Sequence, residues 1–319
     1  MNDSEYRRYG MLAEAAELYF LKGMLQAEIA AQMKISRSLV SRLITEAQAK
    51  GVVNITINRF FQRAGRLEDE LRSRFGIEEA CVLNLPRAME TGERKKALGR
   101  FAADIIYGSL RSGCNLGLTF GTTLREAVES LALKLPVPVN CVQLTGSLGA
   151  ADAAFDGHQL LQKLSSAWNC PAIYLHAPFI VNSVEIRKQL YKSRSNKPNY
   201  ESCQNLDVVV VGVSPLDSGG HSALFSGGHI TAEDMMIMRS HKVVGDVGAY
   251  SVDSQGSLVD IESLVKMIGL DGNEFRSIKA RFGLAYGELK TEVVRAALRG
   301  GWFTSLILDD QTAEAVLSR

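Results

Sequence analysis

After residue 60, short apolar runs and helix-length amphipathic stretches alternate almost to the C-terminus, and this alternation constrains the fold more than any other feature of the chain. Strand-like runs occupy 80–85, 115–119, 140–145, 172–175, 207–213, 278–285 and 303–308. Helical spacing occupies 65–75, 90–110, 122–133, 157–168, 184–191, 231–239, 287–299 and 311–317. Val- and Ile-rich strands separated by helices form a parallel sheet covered on both faces, because a parallel connection needs a crossover long enough to hold a helix. No fixed-period repeat is present, which excludes a solenoid or propeller. Residues 61–319 are therefore expected to form one large Rossmann-like α/β domain with a mainly parallel sheet.

The first sixty residues follow a different rule and predict a small all-α domain over 1–60. Met11, Leu12, Ala15, Ala16, Leu18 and Tyr19 recur at helical spacing over 4–22, and Gly23-Met24 interrupts them. A second helix is expected over 26–33, with Ile29, Ala30 and Met33 inward, and Lys34-Ile35-Ser36 makes a tight connection to a third over 37–50. Ser36 suits the N-cap, where its hydroxyl can accept a bond from a first-turn amide, and Gly51 suits the C-terminal end. Residues 52–58 alternate and predict a short strand leaving the helices.

Composition narrows the function classes. The chain has 319 residues, 36 Lys+Arg against 35 Asp+Glu and 46 % hydrophobic residues, which excludes a disordered or polyionic chain. No apolar run approaches the roughly 18 residues that span a bilayer, and the first residues carry no apolar signal core, so a cytoplasmic protein without a membrane partner is expected. Cys81, Cys114, Cys141, Cys170 and Cys203 are widely spaced with no C-x-x-C, and the histidines contain no H-x-x-x-H. Buried thiols in a reducing compartment, no metal site and no cofactor are the expectation.

Helix, tight turn and helix, with Arg37, Ser38, Ser41, Arg42 and Thr45 on the polar side of the third helix, match the geometry of a DNA-reading helix-turn-helix. Val40, Leu43 and Ile44 hold the opposite face in the core. Arg can make bidentate contacts to guanine, and Ser or Thr can contact phosphate or base edges. A solvated three-helix bundle is the plainer account of the same residues, but turn, cap and polar face agree on one groove-reading geometry. Residues 1–60 hold eight Lys/Arg against six Asp/Glu and the remainder 28 against 29, so double-stranded operator DNA would be held by a focused face, doubled by oligomerisation.

The segment 26–43, Gln-Ala-Glu-Ile-Ala-Ala-Gln-Met-Lys-Ile-Ser-Arg-Ser-Leu-Val-Ser-Arg-Leu, closely resembles the amino-terminal segment of SorC-type sugar-binding transcriptional regulators. That resemblance covers nearly the whole chain and implies an effector domain related in fold to sugar-phosphate isomerases and deaminases, in a homodimer or homotetramer. Gly121-Thr122-Thr123-Leu124, between a strand and a helix, resembles the family's phosphate-holding turn. Glycine there admits a ligand to backbone amides, and the hydroxyls sit where the helix dipole favours an anion. Gln143 closes another strand and offers donor and acceptor groups to sugar hydroxyls; Asp152 and Asp156 lie in the next loop, the latter equally a helix cap. His176-Ala177-Pro178-Phe179 resembles the family's Ala-Pro element, with His176 a satisfied polar residue, and Asp246 resembles a hydroxyl-binding aspartate. Lys290 stands where the family keeps a lysine for the effector phosphate or carbonyl. Ser214 and Tyr286 replace usual glycines, and Gly248-Ala249-Tyr250 lacks an expected basic residue, which argues against a strongly anionic effector.

The resemblance implies a sugar, polyol or sugar-phosphate effector that controls operator affinity. An isomerase- or deaminase-like enzyme is the alternative, since fold alone does not fix function. The sequence places no acid–base constellation beside 121–124 and contains no H-E-x-x-H, G-x-S-x-G, Walker loop or G-x-G-x-x-G, so no catalytic residue is assigned.

Overall fold

In a computed structural model of the chain, which describes residues 3–53, 62–149, 154–181, 183–216, 228–261 and 266–318, the predicted amino-terminal helices form around two apolar clusters. Leu12, Ala15 and Ala16 of α1 (Asp3–Ala16) pack with Leu43 and Ala47 of α3 (Arg37–Ala49). Ile29 of α2 (Gln26–Met33) meets Val40 and Ile44 of α3. Two details differ from a plain helical reading. Residues Glu17–Leu21 continue α1 as a wider π-type turn, with the Lys22 amide donating to the Glu17 carbonyl at 3.1 Å. Lys34 ends α2 in the left-handed region at φ 54°, which lets three residues reverse the chain before Ser36 caps α3 by accepting the Leu39 amide at 3.2 Å. The expected strand over 52–58 falls mostly on residues outside those described.

The chain divides into Met1–Phe60 and Phe61–Arg319. The second unit contains seven parallel strands in the order β1 (Glu79–Leu83), β11 (Ser305–Asp309), β10 (Ala280–Leu284), β6 (Val208–Pro215), β2 (Asn115–Leu118), β3 (Asn140–Gln143) and β4 (Ala172–Ile173). Val208 to Val211 are all buried, as an interior strand covered on both faces requires. One core packs α4 (Gly65–Phe75), α12 (Thr291–Arg299) and α13 (Asp310–Leu317) on one face. The other packs α5 (Thr91–Ser109), α6 (Thr122–Leu131) and α7 (Gly157–Trp168). Arg94 of α5 is buried and clamps Asp309 at 2.8 Å and Asp310 at 2.7 Å, which ties α5 to the end of the sheet.

The strand reading omits an antiparallel extension. β6 runs on past Gly212, and Val213 to Pro215 pair with β7 (Val243–Val247), which pairs in turn with β8 (Tyr250–Asp253). Gly248 and Ala249 join the two strands with φ of 58° and 85°, a two-residue turn whose backbone matches the right-handed strand twist. A second small sheet pairs β5 (Ile180–Val181) with β9 (Lys266–Met267). Helices α8 (Val184–Tyr191), α9 (Lys197–Cys203), α10 (Ala232–Ser240) and α11 (Gly272–Ser277) complete the described elements.

Candidate functional site

From β2 the chain steps outward through β3 to β4, then returns beside β2 as β6 and proceeds the other way to β10 and β11. The strand order reverses between β2 and β6, and the loops leaving their carboxyl ends diverge there, where open α/β sheets hold ligands. A cleft of about 220 Å³ occupies that point, lined by Phe120 to Leu124 after β2, Gly212 to Pro215 of β6, Asp246 of β7 and Gly248. Tyr286, Gly287, Leu289 and Lys290 after β10, together with Lys95 of α5, close it.

Gly121 makes the turn into α6 at φ 133°, a conformation that strains any β-carbon, and a β-carbon there would point into open space. The first-turn amides of α6 thus remain approachable from the cleft. Thr122 supplies a hydroxyl, while Thr123 and Leu124 are buried and anchor the turn. The Lys95 ammonium donates to Thr122 Oγ1 at 2.5 Å. It reaches there because α5 and α6 touch backbone to side chain one turn further on: a β-carbon on Gly99 would lie 2.5 Å from Glu126 Cβ. Burial lowers the Lys95 pKa, against the pull of Glu126.

Asp246 is buried, and its Oδ1 accepts the Ala249 amide at 3.0 Å across the hairpin turn. Burial raises its carboxyl to about 7, against the opposing effects of the Ala249 amide and Lys290. Lys290 lies on the short 3-10 turn Glu288–Lys290, and burial, with Lys95 nearby, lowers its amine to about 8 while Asp246 opposes the shift. The arrangement offers two cations, a carboxyl poised near neutrality and a helix N-terminus to one small polar ligand.

The structure therefore gathers Gly121, Thr122, Thr123, Leu124, Asp246 and Lys290 around one cleft, with Ser214 and Tyr286 in its wall. Gln143 is not brought there. Its amide is buried, donating to the Thr145 carbonyl at 2.7 Å and accepting the Leu175 amide at 3.4 Å, so it ties the ends of β3 and β4 together. Asp156 caps α7 by accepting the His158 amide at 3.0 Å, and its other oxygen takes the Ser147 hydroxyl. Asp152 lies outside the described residues. Phe179 packs edge-on against Phe120, with ring centroids 5.2 Å apart, and so supports the cleft from behind. Lys95 is the main residue that sequence reading misses: it belongs to a helix distant in sequence, and only the Gly99 contact brings it over Thr122.

In the amino-terminal unit Arg37, Ser38, Ser41, Arg42 and Thr45 are all exposed on α3. Ser38 shares a hydrogen bond with Ser36 at 3.0 Å, and Thr45 donates back to the Ser41 carbonyl at 3.1 Å. Neither arginine has an ion-pair partner among the described residues. Glu46, on the same helix, is engaged by Arg8 and by Lys50 at 2.9 Å, hydrogen bonds that hold its carboxyl down at about 2.

The sugar-binding domain family, Sugar-bind, matches residues 59–318. The chain belongs to this family. It is a SorC-type sugar-binding transcriptional regulator. Such regulators include the sorbitol operon regulator of Klebsiella pneumoniae, 27 % identical over 311 residues, which cover 96 % of this chain and 97 % of that protein. The deoxyribonucleoside regulator of Bacillus subtilis is 25 % identical over 305 residues, 96 % of each chain. The crystal structure of the full-length Klebsiella regulator superimposes with a TM-score of 0.70 at 26 % identity, covering 97 % of this SorC-type chain and 99 % of that one.

Proposed function

We propose that the chain binds double-stranded operator DNA through α3, as a homo-oligomer, and that a sugar, polyol or sugar phosphate in the β2/β6/β10 cleft sets its operator affinity. The observation that carries this reading is the cleft itself: a strand-to-helix turn at the switch point, with Lys95, Lys290 and Asp246 converging on it. The names of the relatives, a sorbitol operon regulator and a deoxyribonucleoside regulator, agree with an effector of that class. Arg37 and Arg42 serve as the base- or phosphate-contacting cations, with Ser38, Ser41 and Thr45 beside them. An effector that binds one arrangement of the oligomer more tightly shifts its population, and with it the spacing of the paired α3 helices.

The Lys95 ammonium on Thr122 also bears on ligand charge. It supplies, from α5, a basic group that the sequence around 248–250 lacks, and so favours a phosphorylated effector over a neutral one. A thermal-shift screen of pentoses, tetritols, hexitols and their phosphates tests this, because a ligand at about 100 times its Kd stabilises by roughly 2.7 kcal/mol. The expected result is a rise in Tm with at least one sugar phosphate, lost in Thr122→Val with Lys290→Ala. A response unchanged in that double variant would place the effector elsewhere.

A carboxyl near 7 and an amine near 8 in one cleft are also what a proton-transferring isomerase would use, and this favours a second, enzymatic reading. The regulator relatives weigh against it. Incubation of the chain with the stabilising sugar phosphate is expected to return it unchanged; catalytic turnover that disappears in Asp246→Asn would establish the enzyme.

A further inference from the structure

Two cysteines outside the cleft meet at the β3–β4 edge of the sheet. Cys141 Sγ on β3 lies 3.7 Å from Cys170 Sγ, in the turn between α7 and β4. Asn169 ends α7 in the left-handed region, and the Cys141 amide donates to the Pro171 carbonyl at 2.9 Å, so the two segments already run at ladder spacing. Cys141 is buried and Cys170 half-buried, so one thiol of the pair is open to a small reagent and the other waits behind it. A disulfide needs the sulfurs at about 2.0 Å, so the pair must draw together from 3.7 Å on oxidation.

We propose that Cys141 and Cys170 form a thiol pair that hydroperoxides convert to an intramolecular disulfide. Cys170 is the attacking thiol. Its thiolate sulfur takes the terminal peroxide oxygen, an S–O bond forms, the O–O bond breaks, and the leaving oxide takes a proton to become water or an alcohol. Cys141 Sγ then attacks the Cys170 sulfenic sulfur: the S–S bond forms, the S–O bond breaks, and the departing hydroxide leaves as water with the Cys141 proton. Two thiols together lose two electrons and two protons, and the peroxide gains them.

The electrostatics agree with these roles. The hydrogen bond the two thiols share lowers Cys170 and is the main cause that raises Cys141, followed by burial. Burial pushes Cys81 and Cys203 up to about 12, which keeps them thiols. Cys114 is buried close enough to Cys141 to raise it slightly and is the rival partner for the bridge.

Full-length reduced protein, treated with hydrogen peroxide, alkylated and peptide-mapped, tests the assignment. Free thiols are expected to fall from five to three, with a Cys141–Cys170 linked peptide that dithiothreitol reverses. Cys170→Ala should keep its remaining thiols, and Cys141→Ala should stop at a Cys170 sulfenic acid that dimedone labels. Retention of all five thiols in the wild type, a bridge through Cys114, or disulfide formation persisting in Cys170→Ala would each overturn the proposal. The wild-type peptide map decides the matter should either variant fail to fold.

Discussion

Asp246 shows how one residue serves the fold and the cleft together. Its Oδ1 secures the Ala249 amide in a turn where a non-glycine residue sits at φ 85°, a conformation that costs about 1 kcal/mol and that the hydrogen bond offsets. Burial raises its pKa from 3.8 to about 7, so folding favours the protonated form. The stability this contributes is fully present below the unfolded value and is lost as pH rises through about 7. Asp246→Asn keeps a neutral acceptor at every pH. It is expected to leave the unfolding free energy nearly unchanged at about pH 4 and to raise it at about pH 8 by on the order of 2–4 kcal/mol. Denaturant titrations at the two pH values check this; equal effects at both would show that the carboxyl is not held neutral. The residues that come together here were legible in sequence to different degrees. Gly121, Thr122 and Lys290 stand at strand-to-helix junctions, where composition and position speak together, whereas Lys95 joins the cleft through the packing of Gly99 against Glu126. Gln143 misled for the converse reason: a polar residue at a strand end serves either a ligand or its neighbours, and here the neighbouring backbone takes both ends of its amide.

At the scale of elements, α3 depends on its cap and presents a polar face whose arginines have no ion-pair partner among the described residues. Ser36→Ala removes the side-chain acceptor for the Leu39 amide and is expected to destabilise the amino-terminal unit by about 1 kcal/mol, with effector affinity unaltered. Arg37→Ala with Arg42→Ala should weaken operator binding at least tenfold and flatten its salt dependence while leaving Tm within a degree or two. Fluorescence-anisotropy titrations at a series of salt concentrations measure both effects, and unchanged affinity would remove α3 from the DNA interface. The helices were legible because their caps and periodicity agree; α6, α7 and α8 begin at the predicted residues. The β7–β8 hairpin was not, because Gly248-Ala249 is a poor turn signature, the favoured order placing glycine second. Nor was α9, where Pro198 reads as a breaker yet falls in the first turn, a position that needs no amide donor.

For the whole molecule, the parallel sheet and its crossovers were written in the alternation of apolar runs, and the switch point between β2 and β6 followed from pairing that no single strand encodes. On the proposed reading the two units divide the work: an exposed helix face bearing Arg37 and Arg42 in one and a charged cleft in the other. That division is the central claim, and the effector dependence of DNA binding tests it directly. A DNA fragment enriched by selection on the full-length protein would be titrated with and without the sugar phosphate found by thermal shift. The account predicts that the ligand changes the Kd of the wild type at least tenfold and leaves Thr122→Val with Lys290→Ala unmoved at its ligand-free value. A Kd that the ligand does not change in the wild type, or changes equally in that double variant, would contradict it.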